Sequence, residues 1–268
     1  MSLHAAKVRG APACVRAVLS GPLITAMAWY RTWFGTPYYK LLYGHRDEDD
    51  AEVWVRTILG RTGMGQGAEV LDMACGRGRH ARWFAQAGCR VTGIDLSAES
   101  IAEAHREVPS ARFAVHDMRT PYASACFDLV VCLFTSLGYF EDENDDRKAL
   151  AAAYTALRPG GHFVLDFMNS DRVLRELVPM ECVEAGGVRF TIARTVEGGM
   201  VVKRIVAEDP SGRHCFEERV AALAPDRLTA LVREAGFHVA DRTDGPAPAP
   251  FDPARSQRLV IWARRPNP

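Results

Sequence analysis

This chain has no excess of charge of either sign, no paired-cysteine motif and no long apolar run. Its 268 residues carry 33 Lys plus Arg against 33 Asp plus Glu, a formal net charge of zero. Without a global field, attraction to nucleic acid or to an anionic membrane has no electrostatic basis. The seven cysteines, at 14, 75, 89, 126, 132, 182 and 215, are odd in number and form no C-x-x-C. That pattern supports neither a metal site nor a disulfide framework and points to a reducing compartment, the cytoplasm. No stretch approaches the roughly 20 apolar residues of a membrane span. Residues 1–46 hold six Lys or Arg and no acid. Ala26-Met27-Ala28 has the small-residue pattern of a signal-peptidase site, but Gly21-Pro22 interrupts the apolar run before it. Residues 1–26 are expected to be a leader, extended or frayed, with Met27 as an alternative start.

What is present starts with Glu69-Val70-Leu71-Asp72-Met73-Ala74-Cys75-Gly76-Arg77-Gly78-Arg79-His80. An apolar strand ends in an acid, a turn with two glycines follows, and then a helix. Nucleotide sites of open α/β sheets lie at such junctions, outside the carboxyl ends of the strands. Gly76-x-Gly78-x-x-Ala81 also satisfies the dinucleotide pattern, so the glycines alone do not decide the ligand. Asp72 does. A carboxylate there repels the pyrophosphate that a helix N-terminus would otherwise receive and suits an ammonium. The ligand implied is nucleoside-like, lacks phosphate and carries a positive end; S-adenosylmethionine fits. The next strand, Arg90 to Asp95, ends in an acid suited to ribose hydroxyls. A third, Ala111 to His116, is followed by Asp117, and a fourth runs from Phe127 to Phe134.

Together these segments resemble the class I S-adenosylmethionine-dependent methyltransferases. The matching residues are Val70-Leu71-Asp72-x-x-Cys75-Gly76-x-Gly78, Gly93-Ile94-Asp95, Asp117-Met118, Phe127-Asp128-Leu129-Val130-Val131 and Leu157-Arg158-Pro159-Gly160-Gly161. The resemblance implies an α/β, Rossmann-like sheet of seven strands in the order 3-2-1-4-5-7-6, the last antiparallel. It also implies roles: Asp72, Ala74, Cys75, Gly76 and Gly78 around the methionine part, Asp95 on the ribose, Leu96 walling the adenine, Asp117 and Met118 at the adenine, and Leu133 beside the cofactor. Thr135, Ser136, Tyr139 and Asn169, after the fourth and fifth strands, are the implied acceptor pocket.

Residues 27–60 read as an N-terminal helical cap, dense in aromatics. Tyr39 and Tyr43 are four apart and share a helix face. The segment is either a cap on the sheet edge or a lid on the cofactor, with Tyr43 and Arg46 as cofactor contacts. Arg46 can offer a bidentate fork to the methionine carboxylate. Asp47 is expected to cap a helix from about 48 to 60. The methyltransferase domain takes residues 61–169 and 224–268. Between them, residues 170–223 break the α/β alternation. Three alternating runs, 188–195, 200–206 and 214–220, are separated by turn signals and predict an antiparallel β-meander. Inserted after the fifth strand, it either roofs the substrate pocket or makes a homodimer contact. Such a meander is similar to that of amino-sugar N-methyltransferases.

Methyl transfer from a sulfonium needs positioning more than proton transfer, and no residue is assigned as a catalytic base. His116, next to Asp117, is expected on the opposite side of the sheet; His45 and His214 lie on the proposed lids. The function expected is transfer of a methyl group to N or O of a small molecule, with no metal, nucleic-acid or membrane partner. A nucleic-acid or protein methyltransferase, or a cofactor-binding protein without turnover, are the alternatives. The turn after strand four, Phe134-Thr135-Ser136-Leu137, lacks the Asn/Asp-Pro-Pro-aromatic sequence of base-amino methylation, and no basic patch with interleaved aromatics is present.

Overall fold

A computed structural model describes residues 29–43, 48–246 and 249–268. The elements in chain order are α1 (Tyr30–Trp33), α2 (Pro37–Tyr43), α3 (Glu48–Thr62), β1 (Glu69–Met73), α4 (Arg79–Gln86), β2 (Arg90–Asp95), α5 (Ala98–Glu107), β3 (Arg112–Val115), β4 (Phe127–Cys132), α6 (Glu143–Ala156), β5 (Leu157–Met168), α7 (Ser170–Arg175), β6 (Met180–Ala185), β7 (Val188–Glu197), β8 (Met200–Asp209), β9 (Gly212–Ala221), α8 (Pro225–Glu234), β10 (His238–Thr243) and β11 (Arg258–Arg264). The leader, Arg46, His45 and Asp47 lie outside the described residues.

Seven strands form one sheet in the order β10-β11-β5-β4-β1-β2-β3. Counting without the inserted strands, this is the expected 3-2-1-4-5-7-6. β1 pairs in parallel with β2 and β4, and β11 runs antiparallel to both β5 and β10. Strand order reverses between β1 and β4, so their carboxyl ends open a crevice. Alternation splits β1 between two cores: Leu71 and Met73 join the layer of α6 and α8, while Val70 joins the layer of α3, α4 and α5.

Local chemistry sets the helix ends. The Ser97 hydroxyl accepts the Ser100 amide at 3.1 Å and the Asp142 carboxylate accepts that of Asn144 at 2.9 Å, satisfying first-turn donors. α4 stops at the left-handed Gly88, φ 84°.

The inserted residues form a separate antiparallel sheet of four strands, β6-β7-β8-β9. Its first strand, Met180–Ala185, was not expected. Neither was α7, which the Asn169 side chain caps. The fourth strand ends at Cys132, not Phe134, because Phe134 and Thr135 turn left-handed at φ 58° and 59°.

The N-terminal segment divides in a way its composition does not signal. Trp29, Trp33 and Leu42 share an aromatic core with Val188, Phe190, Ile192, Ile205 and Ala207 of the inserted sheet. Trp54, Val55 and Ile58 of α3 instead pack on the seven-stranded sheet. The cap is therefore α1 and α2, and its partner is the inserted sheet.

Candidate functional site

The site begins where β1 ends. Ala74, Gly76 and Gly78 all adopt positive φ, 57°, 54° and 81°, which winds the chain tightly toward α4. The packing of this turn on β2 leaves no room for a side chain at Gly93. A Cβ on Gly93 would lie 2.6 Å from the Phe113 ring and 2.8 Å from Cys75 Sγ. Cys75 is thus a small packing group; burial pushes its thiol well above the usual range, with Asp72 and Asp95 adding to the effect, so it is unreactive.

Asp72 is 1% exposed, and its Oδ2 has no hydrogen-bond partner. Burial, then the nearby Asp95, lift its carboxyl to about 7, against the pull of Arg79. An unused buried carboxylate oxygen is costly unless a cation or donor arrives. Asp95, at the end of β2, accepts the Gly76 amide on Oδ2 at 2.9 Å and the Ser97 amide on Oδ1 at 2.8 Å. Burial raises this carboxyl too, and the Ser97, Gly76 and Leu96 amides oppose that. Each Asp95 oxygen keeps acceptor capacity for a further donor.

Beside these acids lies a cavity of about 460 Å³, counting its open mouth. Ala74, Ile94, Asp95, Leu96, His116 and Met118 line it from the ends of β1, β2 and β3; Ser136, Tyr139 and Phe140 come from the loop after β4; Tyr30 and Phe34 close it from the cap. Tyr139 is wedged among Trp29, Phe34 and Tyr30, with ring centroids 5.1, 5.6 and 6.4 Å away. Its loop is tied on both sides. The Gly138 amide donates to buried Asp146 at 2.9 Å, and the Gly138 carbonyl accepts the Ala221 amide of β9 at 2.7 Å. A second, more open cleft of about 810 Å³ at the Glu184–Arg189 hairpin shares no residue with this cavity and holds none of the strand-end acids. We take the smaller, apolar cavity as the site because the chemistry converges there.

The cavity brings together Ala74, Asp95, Leu96, Met118, Ser136 and Tyr139 of the expected set; Asp72, Cys75, Gly76 and Gly78 flank Ala74 in the strand end and turn and do not themselves line it. Five expected contacts are placed otherwise. Tyr43 turns to the inserted sheet, where its hydroxyl donates to Glu218 at 2.8 Å. Leu133 packs in the core under α3 and α4 with Leu129 and Val131, continuing the alternation of β4 past its last residue. Asp117 pairs with Arg119 at 2.6 Å. Thr135 accepts from Arg258 at 3.0 Å. Asn169 is fully buried; its amide donates to the carbonyls of Pro253 and Ser256 at 3.0 and 2.8 Å, and its oxygen caps α7. It serves the turn and not the cavity.

His116 corrects the expectation of an opposite-facing side chain. It lies past the end of β3, where alternation no longer applies, and lines the cavity. Its Nε2 meets the Thr120 carbonyl at 2.9 Å. His214 stacks on Tyr38, centroids 4.8 Å apart, and meets Ser211 Oγ at 3.1 Å. Tyr30, Phe34 and Phe140 were not foreseen as lining residues; the aromatic density of residues 29–43 was the only signal for the first two, and Phe140 had none.

Among the described residues, no helix is long and apolar enough to cross a membrane, and no cluster of three His, Cys, Asp or Glu is arranged to hold a metal.

Comparison with known proteins agrees with this geometry. The methyltransferase domain family matches residues 70–161. The dTDP-3-amino-3,6-dideoxy-alpha-D-glucopyranose N,N-dimethyltransferase of Streptomyces fradiae is 31% identical over 211 residues, covering 76% of this chain and 81% of that protein. A Bacillus subtilis (strain 168) protein named as a methyltransferase, YqeM, is 32% identical over 139 residues; the match spans about half of each, 50% of this chain and 54% of the relative. The crystal structure of an S-adenosylmethionine-dependent methyltransferase from Clostridium acetobutylicum ATCC 824 superposes with a TM-score of 0.75 at 20% identity, over 86% of this chain and 96% of that one. The strand order, the acid at each of the first two strand ends and the relative matched over most of its length lead to one conclusion: this chain belongs to the class I S-adenosylmethionine-dependent methyltransferases, and its methyl donor is S-adenosylmethionine.

Proposed function

We propose that the enzyme methylates a nitrogen or oxygen atom of a small molecule, with an amino sugar as the acceptor class to test first. The observation that carries this reading is the enclosure: Tyr30 and Phe34 of the cap and Tyr139 of the loop after β4 close over an apolar cavity, the setting of a small-molecule site and not of an open basic groove for a polymer. The S. fradiae relative, by its name, dimethylates the amino group of a nucleotide-linked sugar, which supports the class.

In this reading the ionised form of Asp72 holds the ammonium of the donor, its orphaned Oδ2 gaining a partner. Asp95, anchored by two amides, accepts the ribose hydroxyls with its remaining lone pairs. Leu96 and Met118 wall the adenine. Bound S-adenosylmethionine supplies an electrophilic methyl group on a sulfonium. What the chain adds is orientation and exclusion of water by Tyr30, Phe34 and Tyr139. Residues 170–223 act as the roof of the acceptor site.

The test is turnover of S-adenosylmethionine, read as S-adenosylhomocysteine by mass spectrometry, across thymidine-diphosphate-linked amino sugars, small amines and small carboxylates. Methylation of an amino sugar or another small amine or carboxylate is the expected result. Turnover with tRNA or a protein, and with none of the small acceptors, overturns the reading.

A further inference from the structure

The cavity accounts for the carboxyl ends of β1, β2 and β3. The same edge continues over β4, β5 and β11, and there a second group of residues is built with equal care. Asp166, near the end of β5, is fully buried. Arg258, at the start of β11, grips it with two parallel bonds, Nε to Oδ1 at 2.5 Å and Nη2 to Oδ2 at 2.7 Å. The same Nη2 donates to Thr135 Oγ1 at 3.0 Å. Oδ2 also accepts the Phe134 amide at 2.7 Å, and the Asp166 carbonyl accepts that of Thr135 at 3.1 Å. These bonds hold Phe134 and Thr135 in consecutive left-handed conformations, which non-glycine residues adopt only where surroundings enforce them, and which concentrate at ligand sites. The Phe134 ring carries two guanidiniums, Arg79 at 4.3 Å and Arg258 at 5.5 Å.

Three of the five Arg258 donors lie on Nε and Nη2, and their partners are protein. Nη1 has no hydrogen-bond partner among the described residues, and the side chain is 28% exposed. A guanidinium clamped by a buried carboxylate and a hydroxyl, with one nitrogen left over at the carboxyl edge, is a preorganised donor. Its position matters. The nucleoside half of the edge is taken by Asp95, Leu96 and Met118, and the orphaned oxygen of Asp72 marks the amino-acid end. An acceptor has to approach from the remaining stretch.

We propose that Nη1 of Arg258 recognises the methyl acceptor through an anionic oxygen, carboxylate or phosphoryl, and so sets acceptor specificity. A charged donor holds an anionic oxygen more strongly than a neutral carbonyl. Asp166 and Thr135 are positioning residues that fix the guanidinium. Arg79 adds a second positive group on the same ring. This rests on the small-acceptor reading above and narrows it.

The experiment is calorimetric titration of the enzyme loaded with S-adenosylhomocysteine, using thymidine diphosphate as the phosphoryl probe and malonate as the carboxylate probe. One of them is expected to bind the wild type, and which one identifies the source of the oxygen. Arg258→Lys keeps a positive charge beside Asp166 but loses the fork; probe affinity is expected to fall about tenfold or more, the scale of one charge-assisted bond. Thr135→Val, which loosens the guanidinium without unpairing Asp166, is expected to give a smaller loss and carries the test if Arg258→Lys fails to fold. S-adenosylhomocysteine affinity should change less than about twofold in either variant, the near-neutral result for a site without shared partners. Wild type that binds neither probe, or variants that bind a probe as wild type does, overturn the proposal. Amino-sugar turnover with unaltered kinetics in Arg258→Lys would remove this inference and leave the methyl-transfer reading standing.

Discussion

Asp72 is a charge stored where water cannot reach it. Its folded pKa of about 7 lies above the ordinary 3.8, so the folded state holds the proton more tightly than the unfolded one. Stability of the free enzyme therefore falls as pH rises from about 4 to about 7 and levels off above. Asp146, also raised to about 7 by burial, adds a slope of the same sign. Donor affinity should run the other way, rising up to about pH 7, because an ammonium pairs with the ionised form. Asp72→Asn should raise stability of the free protein at pH 8 by about 1–3 kcal/mol, since each tenfold change in proton affinity on folding corresponds to about 1.4 kcal/mol. It should also abolish most of the stabilisation by S-adenosylmethionine. Chemical unfolding at pH 5 and pH 8, with and without donor, checks both; a variant less stable than wild type at pH 8 would refute the assignment of an uncompensated charge. The acids of this site were legible because each ends an apolar strand. The roles of Tyr43 and Asn169 were not. Tyr43 and Asn169 are claimed by Glu218 and by the Ser256 turn, partners 175 and 87 residues away that no local pattern encodes. Leu133 was legible, since it keeps the alternation of Leu129 and Val131 and faces the same core.

At the scale of elements, period and punctuation predicted all seven strands of the main sheet, and the resemblance implied their order. Failures fall where long-range bonds override local signals. The fourth strand ends early because the Asp166 carboxylate captures the Phe134 amide. The strand Met180–Ala185 is half exposed, with mixed polarity, so it lacks clean alternation and exists by pairing with β7. Gly93 is the glycine of the main sheet with the least room for a side chain, facing the Phe113 ring of β3 and Cys75 of the turn. Gly93→Ala would drive a methyl group into the Phe113 ring and Cys75. The expected cost is about 1–3 kcal/mol, the range for overpacking, together with weakened donor binding as the turn shifts. Gly60→Ala, with open space around it, is the control. Equal melting temperatures for the two variants would show that the sheet absorbs the strain.

At the scale of the molecule the described residues form three large cores and a small fourth around Ala193 and Val206, and the third belongs to neither face of the main sheet. Between cap and inserted sheet, Glu218 accepts Trp33 Nε1 at 2.6 Å and the Tyr43 hydroxyl at 2.8 Å, and Lys203 donates to that same hydroxyl. Glu218 and Lys203 side chains are each 14% exposed, so screening is weak and the unpaired remnants of a broken network are costly. Glu218→Ala should destabilise this unit by about 2–3 kcal/mol, the scale of bonds to a charged group. Hydrogen exchange should quicken in residues 30–43 and 188–218 while β1, β4 and β5 keep their protection. Uniform quickening would mean that cap, inserted sheet and main sheet melt as one body.

The same network has a consequence for synthesis. Trp33 waits for a partner 185 positions downstream, and the chain leaves the ribosome at about 5–20 residues per second. For roughly 10–40 s, the aromatic surface of Trp29, Trp33 and Leu42 has no inserted strands to cover it. The nucleoside-binding half, built from strands adjacent in sequence, can form within that interval. The nascent enzyme thus acquires its donor platform first and its closure last. The segment with the most exposed apolar area at that stage is the one whose Tyr30 and Phe34 will line the cavity.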